Sequence, residues 1–559
     1  MALNPTTPGV YIREISTLPS SVVSVATAVP AFIGFTEKGP VNKVTRITSL
    51  LEYETTFGGA KHEAYSVNGS NLTVTVSLTA FNLYYNLQMF FGNGGGACYI
   101  ISTGDYSPLT PFGSSGAFTT ALTKAEEADE ITLLVTPEAI NLSNSDRLAV
   151  YTAMLLQCKN LQDRFSIFDV QDTGNITTDA SNFRTSNVGV DNLKYGAAYY
   201  PSLKTPISRF YKDDEVTITA VAAYAAPNDN LYAVKNGVGA YTTLTPMGVM
   251  AGDTVTITQA PIAVTLTGRA TPASPDEFKI GGIDDDTALN ITNTINTHPI
   301  LGGLVYAKVA ADVVTIVSKT GGLIGNFTIA ASATFVTPPV APGVDNKQNT
   351  QLYNDIKAVL DGTTYKLTLY PSAAMAGIYT AVDNDRGVWK APANVGVNLV
   401  IEPSILINDE AQGPLNIDAT GGKSINAIRN FVGRGNLIWG ARTLAGNDNE
   451  WRYVNVRRLF IMAEESCKKA SEFVVFEPND KNTWIRVKGM IGNFLTGLWR
   501  DGALTGDKPE QAFFVKVGLG ETMTAQDILE GRLIVQVGMA AVRPAEFIIL
   551  QFEHKLQEA

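Results

Sequence analysis

Near each end of the chain lies a short alternating stretch with nothing adjacent in sequence to pair with. At the front, GVYIREI (Gly9–Ile15) sets Val10, Ile12 and Glu14 opposite Tyr11 and Arg13. At the back, EFIILQF (Glu546–Phe552) sets Phe547, Ile549 and Gln551 opposite Ile548, Leu550 and Phe552, with apolar groups on both faces. A strand with unpaired N–H and C=O groups is a template for another chain, and soluble proteins usually blunt such edges. A fold that keeps two of them is expected to use them between chains.

The bulk properties agree with that expectation and remove several function classes. At 559 residues the chain needs more than one hydrophobic core, and roughly three or four domains are expected. Charged residues make up 17% of it, below the usual share of about 25%, which suits a surface covered by copies of itself. The formal net charge of -11 is spread thinly, with no basic run longer than Arg457-Arg458 or Lys468-Lys469. Nucleic-acid binding needs a concentrated basic face, so no nucleic-acid partner is expected. Cys98, Cys158 and Cys467 are far apart and odd in number, which fits a reducing compartment better than a disulfide framework. The opening MALNPTTPGVYIREI has no basic n-region before an apolar core, so no Sec-type signal is expected. No apolar run approaches about 18 residues, and no direct membrane insertion is expected.

Texture changes along the chain mark its organisation. From Val22 to Ser102 the pattern reads strand (AVPAFIGFTE), helix (SLLEYETTFG), helix over about 78–91, then strand (ACYIIS). Residues 103–204 read as a small α/β unit with strands EITLLVTP, RFSIFDV and YGAAYYP. Its helix, 145–160, is led by the cap residues SNSD and carries Leu148, Tyr151, Leu155 and Leu156 on one stripe. From about 212 to 345 the chain turns rich in Thr, Ala, Val and Gly, has no Trp, and reads as short strands around one helix, DDTALNITNTINTH. The Pro-rich TPPVAPG closes that block, which looks like an inserted β-rich domain. All five Trp then fall in the last third. Two helices are predicted there, over 454–473 with Val456, Leu459, Phe460, Ala463, Cys467 and Ala470 inward, and over 484–499. Pairs Glu464–Lys468 and Glu465–Lys469 are expected on the outer face of the first. Strands AFFVKVG and RLIVQVGM follow.

Catalytic chemistry is poorly supplied. The three His (His62, His298 and His554) sit in separate segments, so neither a triad nor a His-rich metal site is expected. FGNGGGACYI invites a phosphate-loop reading, but a phosphate cradle needs strand, glycines, then helix, and here the order is helix, glycines, strand. IDDDT (Ile283–Thr287) lacks the spaced oxygen ligands of a calcium loop and reads as a helix cap. Asp169 and Asp172 end a strand, where catalytic carboxylates often sit, yet no base or nucleophile accompanies them. DNDRGVWKAPAN (Asp383–Asn394) reads as a packed loop in which Arg386 bonds carboxylates and Trp389 fills a core. No catalytic residue, metal or cofactor is therefore expected.

That last cluster belongs to an ordered series: PSAAMAGIYTAVDNDRGVWKAPANVGV, LNIDATGGKSINAIRNFVGRGNLIWGARTL, WRYVNVRRLFIMAEES, FEPNDKNTWIRV, FLTGLWRDGALTG, AFFVKV and RPAEFIIL. In this order they resemble the C-terminal portion of contractile tail sheath proteins, and TPGVYIREI, AVPAFIGFTEKGP and YETTFGG resemble the opening of the same family. The middle, about 205–345, is similar only in being a variable insertion. The resemblance implies a subunit of stacked six-fold rings around an inner tube, held extended until a baseplate trigger lets the rings shorten and widen. Both ends lie on one chain, unlike the split two-protein sheath of type VI secretion.

The implied fold is α+β and multidomain. An α/β sheath core is built from N- and C-terminal parts, with an α/β middle unit, an inserted β-rich domain, and extended N- and C-terminal strand arms. The expected boundaries are an arm at 1–20, core at 21–102, a middle domain at 103–211 plus 346–374, the inserted outer domain at 212–345, the C-terminal core domain at 375–543 and an arm at 544–559. The arms would link subunits through Val10, Tyr11, Ile12, Arg13 and Ile15 in front and Phe547, Ile548, Ile549, Leu550 and Phe552 behind. Phe513, Val515, Val517, Leu533, Val535 and Val537 would form the acceptor sheet. The helix at 454–473 would touch the inner tube through Arg457, Arg458, Lys468 and Lys469. Arg386, Trp389, Arg442, Trp451 and Trp499 would structure the core. Implied partners are other copies of the chain, the inner tube protein, and baseplate and terminal cap proteins. Assembly in the bacterial cytoplasm is implied, within a phage virion or an injection particle. The alternative is a surface adhesin that binds glycans through the insertion.

Overall fold

The computed structural model describes residues 22–107, 112–362, 366–418 and 420–549. The front arm residues Val10, Tyr11, Ile12, Arg13 and Ile15, and Leu550 and Phe552 behind, lie outside the described residues. The chain forms two compact units. One gathers the described residues up to Ala60, Ala80–Pro206 and the described residues from Thr368 onward; the other is Lys61–Thr79 with Ile207–Leu367.

The first unit is organised by one eight-stranded sheet of β1 (Pro30–Gly34), β2 (Thr45–Ile47), β3 (Cys98–Ser102), β4 (Leu133–Val135), β5 (Phe165–Asp169), β6 (Gly196–Tyr200), β7 (Ile425–Phe431) and β8 (Gly435–Ile438), in the spatial order β2-β3-β1-β4-β5-β6-β7-β8. The six central strands are parallel, and an antiparallel strand closes each edge. Parallel strands are covered on both faces, and here β1, β3, β5 and β6 are buried at every residue. That explains why PAFIG, CYIIS and FSIFD read as continuous apolar runs rather than alternating ones. Strands from before and after the insertion share this sheet, so the described residues up to Ala60, those of Ala80–Pro206 and those from Thr368 onward form one body, and the sheet runs across the boundary expected at 102/103.

Helices α1 (Leu83–Gly92), α2 (Asn144–Leu161) and α3 (Ser372–Arg386) belong to the same unit. Ser143 caps α2 by accepting the Asp146 N–H, as SNSD predicts. The glycines after α1 end it and turn the chain into β3, with Gly94 at φ +90. They also let α3 approach: a Cβ on Gly377 would lie 2.4 Å from the Phe90 carbonyl oxygen, and one on Gly94 2.8 Å from the Ala381 Cβ. FGNGGGACYI thus serves close packing.

Further along, α4 (Val454–Ala470) and α5 (Lys481–Arg500) bury Leu459, Met462, Val487, Met490, Ile491, Leu495 and Leu498 in a common cluster. Asp480 caps α5 by accepting the Thr483 N–H. A two-stranded antiparallel ladder, β9 (Phe513–Lys516) with β10 (Gln536–Met539), adds Val515 to that cluster.

The second unit packs two four-stranded sheets around one core. One sheet orders Val305–Ala310, Val313–Gly321, Gly239–Pro246 and Phe335–Val336; the other orders Glu277–Lys279, Ile262–Arg269, Thr254–Gln259 and Thr328–Ala331. The helix Asp284–Thr297 contributes Ala288, Ile291 and Ile295 to that core. The unit is larger than the insertion expected at 212–345. Its third sheet pairs Thr217–Thr219 with Ala64–Asn68, which in turn pairs with Val74–Ser77. Residues 61–79 and 346–367 therefore belong to this unit, not to the core and middle domains assigned from composition.

Candidate functional site

The expected acceptor sheet exists as a ladder of two short strands. Phe513 faces Met539 and Val515 faces Val537 in register. Val517 is buried just past the end of β9, whereas Leu533 and Val535 precede β10, because the pairing begins only at Gln536. Phe514 lies on the opposite face with its ring over Gly538, where a Cβ would stand 2.3 Å from the ring, and the Lys516 Nζ sits 5.2 Å from the ring centroid. Among the described residues, β9 and β10 pair with each other and with no third strand. Beyond β10, Leu504 and Ala541 form an antiparallel bridge, and the Val542 N–H donates to the Ala503 carbonyl.

The chain is then held by one side chain. Glu546 accepts from Arg442 Nε at 2.8 Å and Nη2 at 2.7 Å, from Asn416 Nδ2 at 2.7 Å and from the Tyr453 hydroxyl at 3.1 Å. Partial burial pushes its carboxyl up, but Arg442, Asn416 and Tyr453 together hold it below the usual carboxylate range. A bidentate guanidinium–carboxylate pair is among the stronger polar contacts a side chain can make. Directly after it, Phe547, Ile548 and Ile549 are 67%, 79% and 90% exposed and form no strand. Of the strand expected at Glu546–Phe552, the described part, 546–549, is not in a ladder, because no described strand pairs with it.

The four basic residues expected to face a tube do not act alike. Arg457 and Arg458 are only 2% and 3% exposed, which corrects their assignment as outward contacts. Arg457 pairs with Glu464 at 2.8 Å and lies over the Tyr195 and Trp451 rings, 4.9 and 4.6 Å from their centroids. Arg458 grips Asp383 through Nη1 at 3.0 Å and Nη2 at 2.5 Å, donates to the Thr27 carbonyl at 2.9 Å, and lies over Tyr379. A buried guanidinium persists only when its charge is matched, and both find carboxylates. Lys468 and Lys469 remain exposed, and both pair with Glu465. The expected Glu464–Lys468 pair does not form because Glu464 turns to Arg457.

The core-structuring residues are placed unevenly. Trp451 stacks edge-on against Phe460, while Trp389 and Trp499 are half-buried against the α4–α5 cluster, with Trp499 Nε1 donating to the Gly506 carbonyl. Arg442 is buried on Glu546. Arg386 is exposed at the end of α3, so it does not gather the carboxylates of its own loop. Asp383, three residues earlier, takes that structural role through Arg458.

The carboxylates that invited an enzymatic reading bind the protein itself. Asp169 accepts the Ser372 N–H at 2.8 Å and its hydroxyl at 2.5 Å, capping α3. Asp172 accepts from the hydroxyls of Ser202 and Ser404. Sequence reasoning missed Glu138, which accepts the N–H groups of Phe35, Asn82 and Leu83 at 2.7, 2.7 and 3.0 Å and so ties the end of β1 to the start of α1. Burial pushes the carboxyls of Glu138 and Asp169 up to about 7, against those hydrogen bonds. His298 is buried, its Nδ1 accepting the Ile300 and Leu301 N–H groups, and its Nε2 lies 2.8 Å from Asp276. Among the described residues, no group of three or more His, Cys, Asp or Glu could hold a metal ion, and no helix is long and apolar enough to cross a membrane.

Known proteins share this architecture. Residues 446–555, which hold α4, α5, the ladder and Glu546, match the phage tail sheath C-terminal domain. The chain is similar to contractile tail sheath proteins. The tail sheath protein of Vibrio phage KVP40 is 27% identical over 124 residues, a match spanning 22% of this chain and 18% of that protein. Agreement with solved sheaths extends over the whole chain. The PVC sheath complex of an extracellular contractile injection system, in its contracted state, is 26% identical with a TM-score of 0.57 and 99% of each chain covered. The helical sheath of the anti-feeding prophage, also contracted, is 29% identical with a TM-score of 0.55, covering 99% of this chain and 100% of that one.

Proposed function

We propose that this sheath-like chain is the structural subunit of a contractile sheath. It polymerises as stacked six-fold rings around an inner tube and drives the tube forward when the rings shorten and widen. The observation that carries this reading is the β9–β10 ladder close in sequence to an uncovered apolar segment, Phe547–Ile549. A two-stranded sheet is marginal alone, and an apolar strand without a partner is a liability in a monomer. Each remedies the other when strands from neighbouring chains complete the ladder. Main-chain hydrogen bonds supply affinity and alternating side chains set register, and Val10–Ile15 of another neighbour would add at the same sheet.

Such links let the bodies move. A tethered strand stays at high effective concentration while the rest of the subunit reorients. Contraction would then draw its energy from larger contact between bodies in the final state, with no nucleotide consumed. Lys468 and Lys469, exposed near the end of α4, are the basic side chains of that helix that could meet an inner tube, and the ends of the polymer would meet baseplate and cap proteins. Assembly would take place in the bacterial cytoplasm, before incorporation into a virion or injection particle. The similarity to solved sheaths favours this reading over the glycan-binding adhesin.

The test is removal of residues 1–15 or 547–559 followed by electron microscopy of the purified chain. Loss of tubular polymers with an unchanged thermal transition of the body supports the reading. Tubular polymers indistinguishable from wild type in either truncation remove it.

A further inference from the structure

Both terminal segments are rooted on one helix. At the front, the Val25 N–H donates to Ser466 Oγ at 3.0 Å, Arg458 Nη2 donates to the Thr27 carbonyl at 2.9 Å, and Thr27 Oγ1 donates to Asp383 at 2.5 Å. At the back, Asn455 Nδ2 donates to the Val542 carbonyl at 3.2 Å and the Tyr453 hydroxyl to Glu546 at 3.1 Å. Tyr453 is the N-cap residue of α4, and Asn455, Arg458 and Ser466 lie along it. The rear root therefore sits at the start of the helix and the front root extends toward its end, 11 residues on from Asn455, or about 17 Å of axial rise.

We infer that α4 is a tie bar between the two terminal segments, so that tension passed from one neighbouring copy to the next runs along this helix. The idea rests on the reading that the terminal segments link copies of the chain. A helix axis carries load along its aligned backbone hydrogen bonds. The contacts at each root are polar and directional: on α4 itself Arg458 pairs with Asp383 beside Thr27, and the Glu546 held by Tyr453 is also gripped from outside the helix by Arg442. A side chain that merely filled space could slide under load; a bidentate pair cannot without breaking two bonds at once. The arginines that look from sequence like surface or packing residues are thus positioning residues for the arms.

The experiment uses the full-length chain with three variants. Thr27→Val/Ser466→Ala loosens the front root, Tyr453→Phe/Glu546→Gln loosens the rear root, and Thr36→Val, which removes a buried hydroxyl contact to Ser102 beside the central sheet, is the stability control. Polymer length by electron microscopy and the melting temperature of the body are measured for each. Loss of two hydrogen bonds at a root, at about 1 kcal/mol each, predicts an assembly constant weakened about ten-fold or more, read as shorter polymers at a given concentration. The body transition should move no more than in the control. Root variants that assemble to wild-type length overturn the inference, as does a shortening matched by Thr36→Val. Deleting residues 547–559 separates the two ideas: if polymers survive that deletion the arm reading fails, whereas if they are lost and the root variants still assemble normally, only the tie bar fails.

Discussion

The second unit and the ladder end of the first make opposite use of β structure. In the second unit, strands of six to nine residues such as Thr254–Gln259 and Val313–Gly321 are paired on both sides and close over one core. At the ladder end, two four-residue strands pair only with each other among the described residues, and the segment after Glu546 presents Phe547, Ile548 and Ile549 to solvent. The difference is not one of apolar content. It lies in whether the described residues supply the next strand. On the proposed reading, the self-sufficient sheets stand alone and the unfinished one would acquire its stability from association.

The largest effects should follow from exchanging these two situations. Replacing the whole second unit, residues 61–79 and 207–367, by short linkers is expected to leave tubular polymers intact, while removing the 13 residues 547–559 abolishes them; electron microscopy of the two variants decides whether the unfinished region is the one that matters. Next in size is Arg458→Met. It leaves Asp383 buried without its partner, and breaking a buried pair in this way costs about 3–5 kcal/mol, readable as a fall in the urea midpoint of the folded chain. The same substitution at an outward, tube-facing arginine would barely change stability, so this variant also checks the corrected placement.

A smaller effect is expected at Glu138. Glu138→Gln turns an amide toward backbone N–H donors that need acceptors, and leaving one unsatisfied costs about 1–3 kcal/mol. The pH dependence carries a sign. Burial holds the carboxyls of Glu138 and Asp169 at about 7, above the ordinary values of 4.5 and 3.8. Each therefore binds its proton more tightly when folded. Their contribution is complete below those ordinary values and is lost as pH rises toward about 7. Stability of the first unit should fall over that window, and Glu138→Gln should flatten the slope; a slope of the opposite sign would contradict the burial argument. Smallest of all, Lys468→Ala/Lys469→Ala should change stability by less than about 0.5 kcal/mol, as exposed pairs do, while weakening co-sedimentation with the inner tube.

Much of this was legible in the sequence where the signal is local. Periodicity and caps place α4, α5 and the helix led by SNSD within a few residues, and the buried parallel strands stand out as apolar runs. What escaped is non-local. The hairpin at 61–79 joins the second unit by pairing Ser66 with Thr217, and a composition shift near Tyr211 cannot register that pairing. Apolar periodicity counts Arg457 and Arg458 as polar and so turns them outward; their partners are cross-helix or distant, with Asp383 lying 75 residues from Arg458. Glu138 is read correctly only when its three backbone donors, none distinguishable in sequence, are brought to it by β1 and α1. The ladder itself was half legible: AFFVKV and RLIVQVGM name the two strands, but RLIVQVGM pairs only from Gln536, where the register with Lys516 begins.

The central claim is that β9 and β10 form an unfinished sheet completed by other copies of the chain. A helical reconstruction of the assembled polymer at side-chain resolution tests it most directly. The account predicts that the ladder acquires flanking strands from neighbouring chains, one of them containing Phe547–Ile549, while Glu546 stays on Arg442 of its own chain. A polymer in which both ladder edges face solvent, with Phe547–Ile549 folded back on the chain that carries them, would contradict it.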